Sequence, residues 1–269
     1  MRYNEPGPVD AVGAFLIAVV YILLAGILAQ LPALSPLIIF FPLGFALFSF
    51  VYAAARSFYL PSVFPLVRPT LKQVAGATLM IVGILCVITF LMITVQAIFP
   101  SFSPDAIDAE EVLSKGLLSG IIGVALLPAV SEEILCRGLM LKALRGSVPR
   151  LVAIVVSNLL FAVLHFDIYR IPFTFVSGLV ITWVAYETAS LVLPVIMHFL
   201  HNMILFVIAW SIDRYVKPEA MAQEGLETLA ASNPGLLWFS LLVWLFFLGG
   251  IASFCIVWGG RMIRSFKAA

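Results

Sequence analysis

The sequence predicts an all-α protein, a polytopic membrane helix bundle of about eight transmembrane helices. Two observations carry that expectation. Of 269 residues, 63% are hydrophobic and 11% charged, against about 45–50% and about 25% in soluble globular chains. A water-soluble enzyme of that make-up would expose far too much apolar surface. The apolar residues also fall in long runs. Lipid offers no water to satisfy a backbone, so runs of that length are helices. A net charge of +1 excludes nucleic-acid binding through a basic face.

A span needs about 20 mostly apolar residues, within a range of about 17–25. The first run, Ala11–Leu31, is too long for a signal peptide, and no small-residue cleavage site follows it. Pro36–Ala55, Val74–Phe99 and Gly116–Leu141 come next. Leu151–Phe166 and Pro172–Tyr186 are the shortest. Leu191–Ile212 and Leu236–Trp258 complete the set. None alternates with period two, as a membrane barrel strand would. No repeat or low-complexity tract divides the chain, so residues 1–269 read as a single membrane-embedded domain. Cys86, Cys136 and Cys255 lie inside apolar runs and suggest neither disulfides nor a cysteine metal site.

Loop charges give the orientation. Cytoplasmic loops collect Lys and Arg. Arg2, Arg56, Arg68, Lys72, Lys142, Arg145, Arg150, Arg261, Arg264 and Lys267 fall on one side, ten in all, against Lys115, Arg170, Arg214 and Lys217 on the other. With eight spans, both termini are then cytoplasmic. The acidic loop Asp105–Glu111 and the segment Asp213–Asn233 face outward.

The informative residues are polar ones inside these runs. An Asp, Lys or Arg at the centre of a span costs about 2.5–3.5 kcal/mol even on mild insertion scales. The fourth run nevertheless holds Ser131, Glu132, Glu133 and Arg137. The fifth holds Asn158 and His165, and the seventh His198, His201 and Asn202. Glu133 and Arg137 are four apart and can pair along one face. Glu132 sits about 100° further round and is free to serve as a general base toward water. The same residues also suit a structural ion pair that joins helices. Asn158, Phe161 and His165 share one face of their helix. His198 and Asn202 share a face of theirs, where they can donate to an oxyanion or, for the imidazole, ligate a metal. At about 1.5 Å per residue, Glu132, His165, His198 and Asn202 lie roughly 10–22 Å below the cytoplasmic ends of their helices. In a core of about 30 Å these depths overlap.

The stretch Pro128-Ala-Val-Ser-Glu-Glu-Ile-Leu-Cys-Arg-Gly138 resembles the first motif of the CAAX-protease and bacteriocin-processing (CPBP or Abi) family of intramembrane proteases. Phe161-Ala-Val-Leu-His165 resembles its second motif. Tyr186-Glu-Thr-Ala-Ser-Leu191, Pro194 and His198-Phe-Leu-His-Asn202 resemble the third. The likeness covers about residues 116–205. It implies an eight-helix bundle with a membrane-embedded peptidase site. By carry-over, Glu132 activates the water and His165 assists it. Glu133 and Arg137 order the site, and His198 with Asn202 form the oxyanion side. Cys136 stands where the family usually has Phe, and Ala189 where Gly is common. Neither is a catalytic position, so altered packing is the expected consequence. His201 is an additional imidazole, either a bystander or a residue that tips the site toward metal.

The first reading is therefore an intramembrane endopeptidase acting on a lipidated or amphipathic peptide or protein, without a cofactor. No His-Glu-x-x-His zinc signature is present, although Glu132, His165 and His198 offer a zinc set. The partners are that substrate and the lipid bilayer, with no nucleic acid. The alternative reading is a non-proteolytic membrane protein, a bacteriocin self-immunity factor or scaffold. A proton-coupled transporter is a third, but no inverted repeat or pair of broken helices supports it.

Overall fold

In a computed structural model of the chain, residues 3–31, 39–99, 116–215 and 234–264 are described. The helices are α1 (Pro8–Ala29), α2 (Leu43–Ala55), α3 (Leu60–Val63), α4 (Leu71–Ile98), α5 (Leu117–Leu144), α6 (Arg150–Val163), α7 (Ile171–Thr188), α8 (Val192–Tyr215) and α9 (Pro234–Arg264). Among the described residues there is no strand, and the polytopic helical bundle stands. Six helices are long and apolar enough to cross a bilayer: α1, α4, α5, α7, α8 and α9. The second and fifth expected spans are shorter, 13 residues in α2 and 14 in α6. Pro42 explains α2. It has no N–H to give a preceding turn, so the helix begins after it rather than at Pro36. The loop Asp105–Glu111 and nearly all of Asp213–Asn233 lie outside the described residues.

Several ends are set by local chemistry. Pro8 occupies the first turn of α1, where its missing N–H is no loss. Asp10 there accepts from the Gly7 backbone N–H at 2.9 Å. The same carboxylate accepts from Tyr52 Oη and Arg56 Nε, both at 3.0 Å, which ties α1 to α2. Thr70 and Gln73 form a reciprocal cap at the start of α4, each side chain bonding the other's backbone N–H. α9 runs on through Arg261 and Arg264, since charged residues do not stop a helix.

The core has two halves. Ala11, Ala14, Phe45, Leu135, Leu139 and Ala153 join α1, α2, α5 and α6. Ile81, Ile84, Val184, Leu193, Met197 and Ile263 join α4, α7, α8 and α9. Glycine makes the α4–α9 contact close. A Cβ on Gly259 would stand 2.5 Å from the Gly76 carbonyl oxygen, and one on Gly76 would stand 2.8 Å from that of Gly259. Small residues at such crossings replace the hydrophobic drive that lipid does not supply.

The charged loops meet at one end. Asn4 donates to the Arg56 carbonyl at 2.8 Å, and Lys142 lies 3.6 Å from Glu5. Arg150 pairs with Glu187. Ser190 Oγ donates to the Val67 carbonyl at 2.9 Å. The apolar halves, by contrast, face each other along a seam between α5–α6 and α7–α8, and the polar residues lie in that seam.

Candidate active site

α5 is not a uniform helix. It widens to π-helical turns at Ile121–Leu126 and Ile134–Met140, on either side of an α-helical stretch, Leu127–Glu133. The wide turns show in their bonds: Leu127 N–H reaches Ile122 O, and Leu141 N–H reaches Cys136 O. Pro128 explains part of this. Its nitrogen carries no hydrogen, so Val124 O cannot receive the ordinary helical bond from four residues on. Such turns recur at functional sites, and this one sits next to Glu132 and Glu133.

Glu133 is fully buried and organises the cluster. Its Oε1 accepts from Arg137 Nη1 at 2.9 Å and from His198 Nδ1 at 2.8 Å. A carboxylate only accepts, so Nδ1 of His198 carries the hydrogen and Nε2 faces the other way. It faces Glu132, whose Oε2 lies 3.8 Å from Nε2. That is too long for a direct hydrogen bond. Glu132 keeps 21% of its side chain accessible, while Glu133 keeps none.

Arg137 is held on every side. Nε donates to Thr182 Oγ1 at 3.2 Å, and Nη2 reaches the Gly178 carbonyl at 3.4 Å. Its guanidinium lies 4.4 Å from the Phe161 ring centroid. The same ring meets His165 edge-on at 5.0 Å and His198 at 5.9 Å. Phe161 is therefore the hub between the second motif and the other two. Asn158 buttresses from behind, donating to the Phe175 carbonyl at 2.7 Å. Its Oδ1 fills the space a Cβ on Gly178 would need.

Of the residues singled out in the sequence, Glu132, Glu133, Arg137 and His198 come together through polar contacts. His165 joins them only through Phe161. It caps the end of α6 and turns Nδ1 toward the Phe161 carbonyl at 3.2 Å. Asn202 turns aside. Its Nδ2 donates to Val124 O at 3.3 Å, the oxygen whose ordinary α-helical donor would be the nitrogen of Pro128. His201 approaches Asn202 Oδ1 at 3.2 Å. Among the described residues, no three His, Cys, Asp or Glu side chains are grouped as a metal donor set. Glu132, His165 and His198 do not form such a group.

Thr182 and Gly178 escaped the sequence reading. The signal was there: a Gly four residues before a Thr, inside an apolar run. Ala189 also gains a reason. It is left-handed, with φ +47°, and closes α7 at the position where glycine has no steric cost.

No curated protein and no solved structure matches the chain. Residues 114–204, which hold α5 through the first half of α8 and every residue of this cluster, match the family model of the Rce1-like proteins, type II CAAX prenyl endopeptidases, in keeping with a CPBP-family intramembrane protease.

Proposed function

We propose that the chain is an intramembrane endopeptidase that hydrolyses a peptide bond of a lipidated or amphipathic substrate with Glu132 as general base. The observation that carries the reading is the setting of His198. It is fixed by Glu133 on one ring nitrogen and faces Glu132 at 3.8 Å with the other. A carboxylate that locks an imidazole in one tautomer is a recurrent device for placing its second nitrogen. Glu132, the more accessible of the two acids, is free of Arg137 and stands where a water can meet it.

In this mechanism water attacks the scissile carbonyl carbon as Glu132 takes its proton. The C–O bond forms and the carbonyl oxygen becomes an oxyanion. His198 donates to that oxyanion through Nε2 once that nitrogen also carries a proton, Nδ1–H staying on Glu133. His165, which reaches the cluster through the Phe161 ring, assists that water in the role the family resemblance gives it. Collapse breaks the C–N bond, and Glu132 returns the proton to the leaving amine. Asn202 joins the oxyanion side only on releasing Val124 O. Both termini are cytoplasmic in this proposal, with the substrate entering from the membrane or that face.

The test uses purified protein in liposomes with prenylated and unmodified amphipathic peptides. Wild type should cleave, and Glu132→Gln should not, at equal thermal stability. A Glu132→Gln protein cleaving at the wild-type rate would remove the base from the mechanism.

A further inference from the structure

We propose that the groove between α4, α7 and α9 is a specific site for one anionic phospholipid of the leaflet at the charged end. The groove holds about 460 Å³ and opens outward. Its apolar floor is Met80, Val180, Trp183 and Ile256, and Arg261 and Arg264 stand at its mouth. Arg264 lies 5.0 Å over the Trp183 ring, and Arg261 lies 6.0 Å from the Trp258 centroid. Both guanidiniums are thus steered by aromatic faces.

Charge complementarity names the occupant. Among the described residues no carboxylate pairs with Arg68, Arg261 or Arg264. Glu187, which shares the adjoining hollow with Arg68 and Arg264, is bonded to Arg150. An unpaired pair of arginines above an apolar trough matches a phosphate carried on an acyl chain. Basic hollows between transmembrane helices bind acidic head groups in this way. A free anion would have no use for the trough, and a neutral lipid would leave the arginines unanswered. The aromatic rings belong at that depth too, since Trp favours the membrane–water boundary.

The experiment is native mass spectrometry of the full chain, titrated with phosphatidylglycerol or phosphatidylcholine of matched acyl length. Wild type should bind one phosphatidylglycerol more tightly than phosphatidylcholine by about fivefold or more. Arg264→Gln should lose that preference. Lys72→Gln removes a charge at the same end but outside the groove, and should keep it. Val257→Trp, at a half-exposed groove residue that supports no core packing, should weaken both lipids by filling the trough. Equal affinity for the two lipids in wild type would overturn the site. So would an equal loss in Lys72→Gln and Arg264→Gln, which would mean diffuse attraction. An unchanged Val257→Trp protein would overturn the acyl trough.

Discussion

Asn202 donates its side-chain amide to the backbone oxygen of Val124 at 3.3 Å, across from α8 to α5. Pro128 has no N–H to give this oxygen in the ordinary α-helical way, and an under-served carbonyl is expensive inside a membrane bundle. Asn202→Ala should therefore destabilise the protein by about 1–3 kcal/mol. Pro128→Ala restores an N–H to the same oxygen. The double variant should recover stability, so that thermal unfolding shows a coupling rather than a sum. Additive losses would remove the relation. Activity provides a separate readout. If Asn202 also serves the oxyanion, the stable double variant stays slow.

Arg137→Leu should cost about 3–5 kcal/mol, because Glu133 would keep a buried charge with no counter-charge. Arg137→Lys should recover only part. A point charge reaches Glu133 but cannot also serve Thr182 and Gly178 as a planar fork does. Melting temperature and detergent-extracted yield measure both. A fully stable Arg137→Leu protein would contradict the assignment.

The two glutamates should separate under the same substitution. Glu132→Gln should lower the cleavage rate by about 10²–10⁴-fold and leave the melting temperature near wild type. Glu133→Gln should lower both, since Arg137 and His198 share its single bonded oxygen. Identical behaviour of the two variants would mean that the roles are not divided.

Ala189→Gly should stabilise. A left-handed non-glycine residue costs about 1–2 kcal/mol, and the flexibility glycine adds to the unfolded chain returns about 0.4–1 of it. The net gain is about 0.5–1 kcal/mol, visible as a raised melting temperature. A drop would mean that the Ala189 methyl packs more than it strains.

Activity should survive removal of metal. Each ring still has Nε2 free, His198 with Nδ1 on Glu133 and His165 with Nδ1 toward its own helix, yet among the described residues no three donors are grouped. A zinc site needs three converging protein ligands. Dialysis against a chelator, followed by metal analysis and the cleavage assay, checks this. One equivalent of zinc, with activity lost on stripping and restored on return, would reverse the proposal.

Much of this architecture was legible because lipid imposes coarse rules. Run length located the helices, and Glu133 with Arg137 declared themselves by cost and spacing. What was hidden depends on backbone detail. Pro42 shortens α2, although the apolar run continues through it. The wide turns of α5 leave no mark but Pro128. Asn202 read as a partner of His198 because they share a face. Its actual partner is a carbonyl that became needy through a proline on another helix, and residue types on one helix cannot report that. Phe161 read only as sharing a helix face with Asn158 and His165 and opening the second motif, yet its ring is what brings His165 to the cluster.

Each π-helical turn of α5 carries one residue more than an α-helical turn of the same reach, which is about 100° of rotation. The stretch Leu127–Glu133 is therefore phased independently of both ends of its helix. Losing one residue from Ile121–Leu126 would swing everything toward Leu117 around the axis while Glu132, Glu133 and Arg137 kept their bearing on each other. A one-residue deletion there would also displace Val124, so the bond from Asn202 and the bearing of the glutamates on α8 both depend on that extra residue being kept.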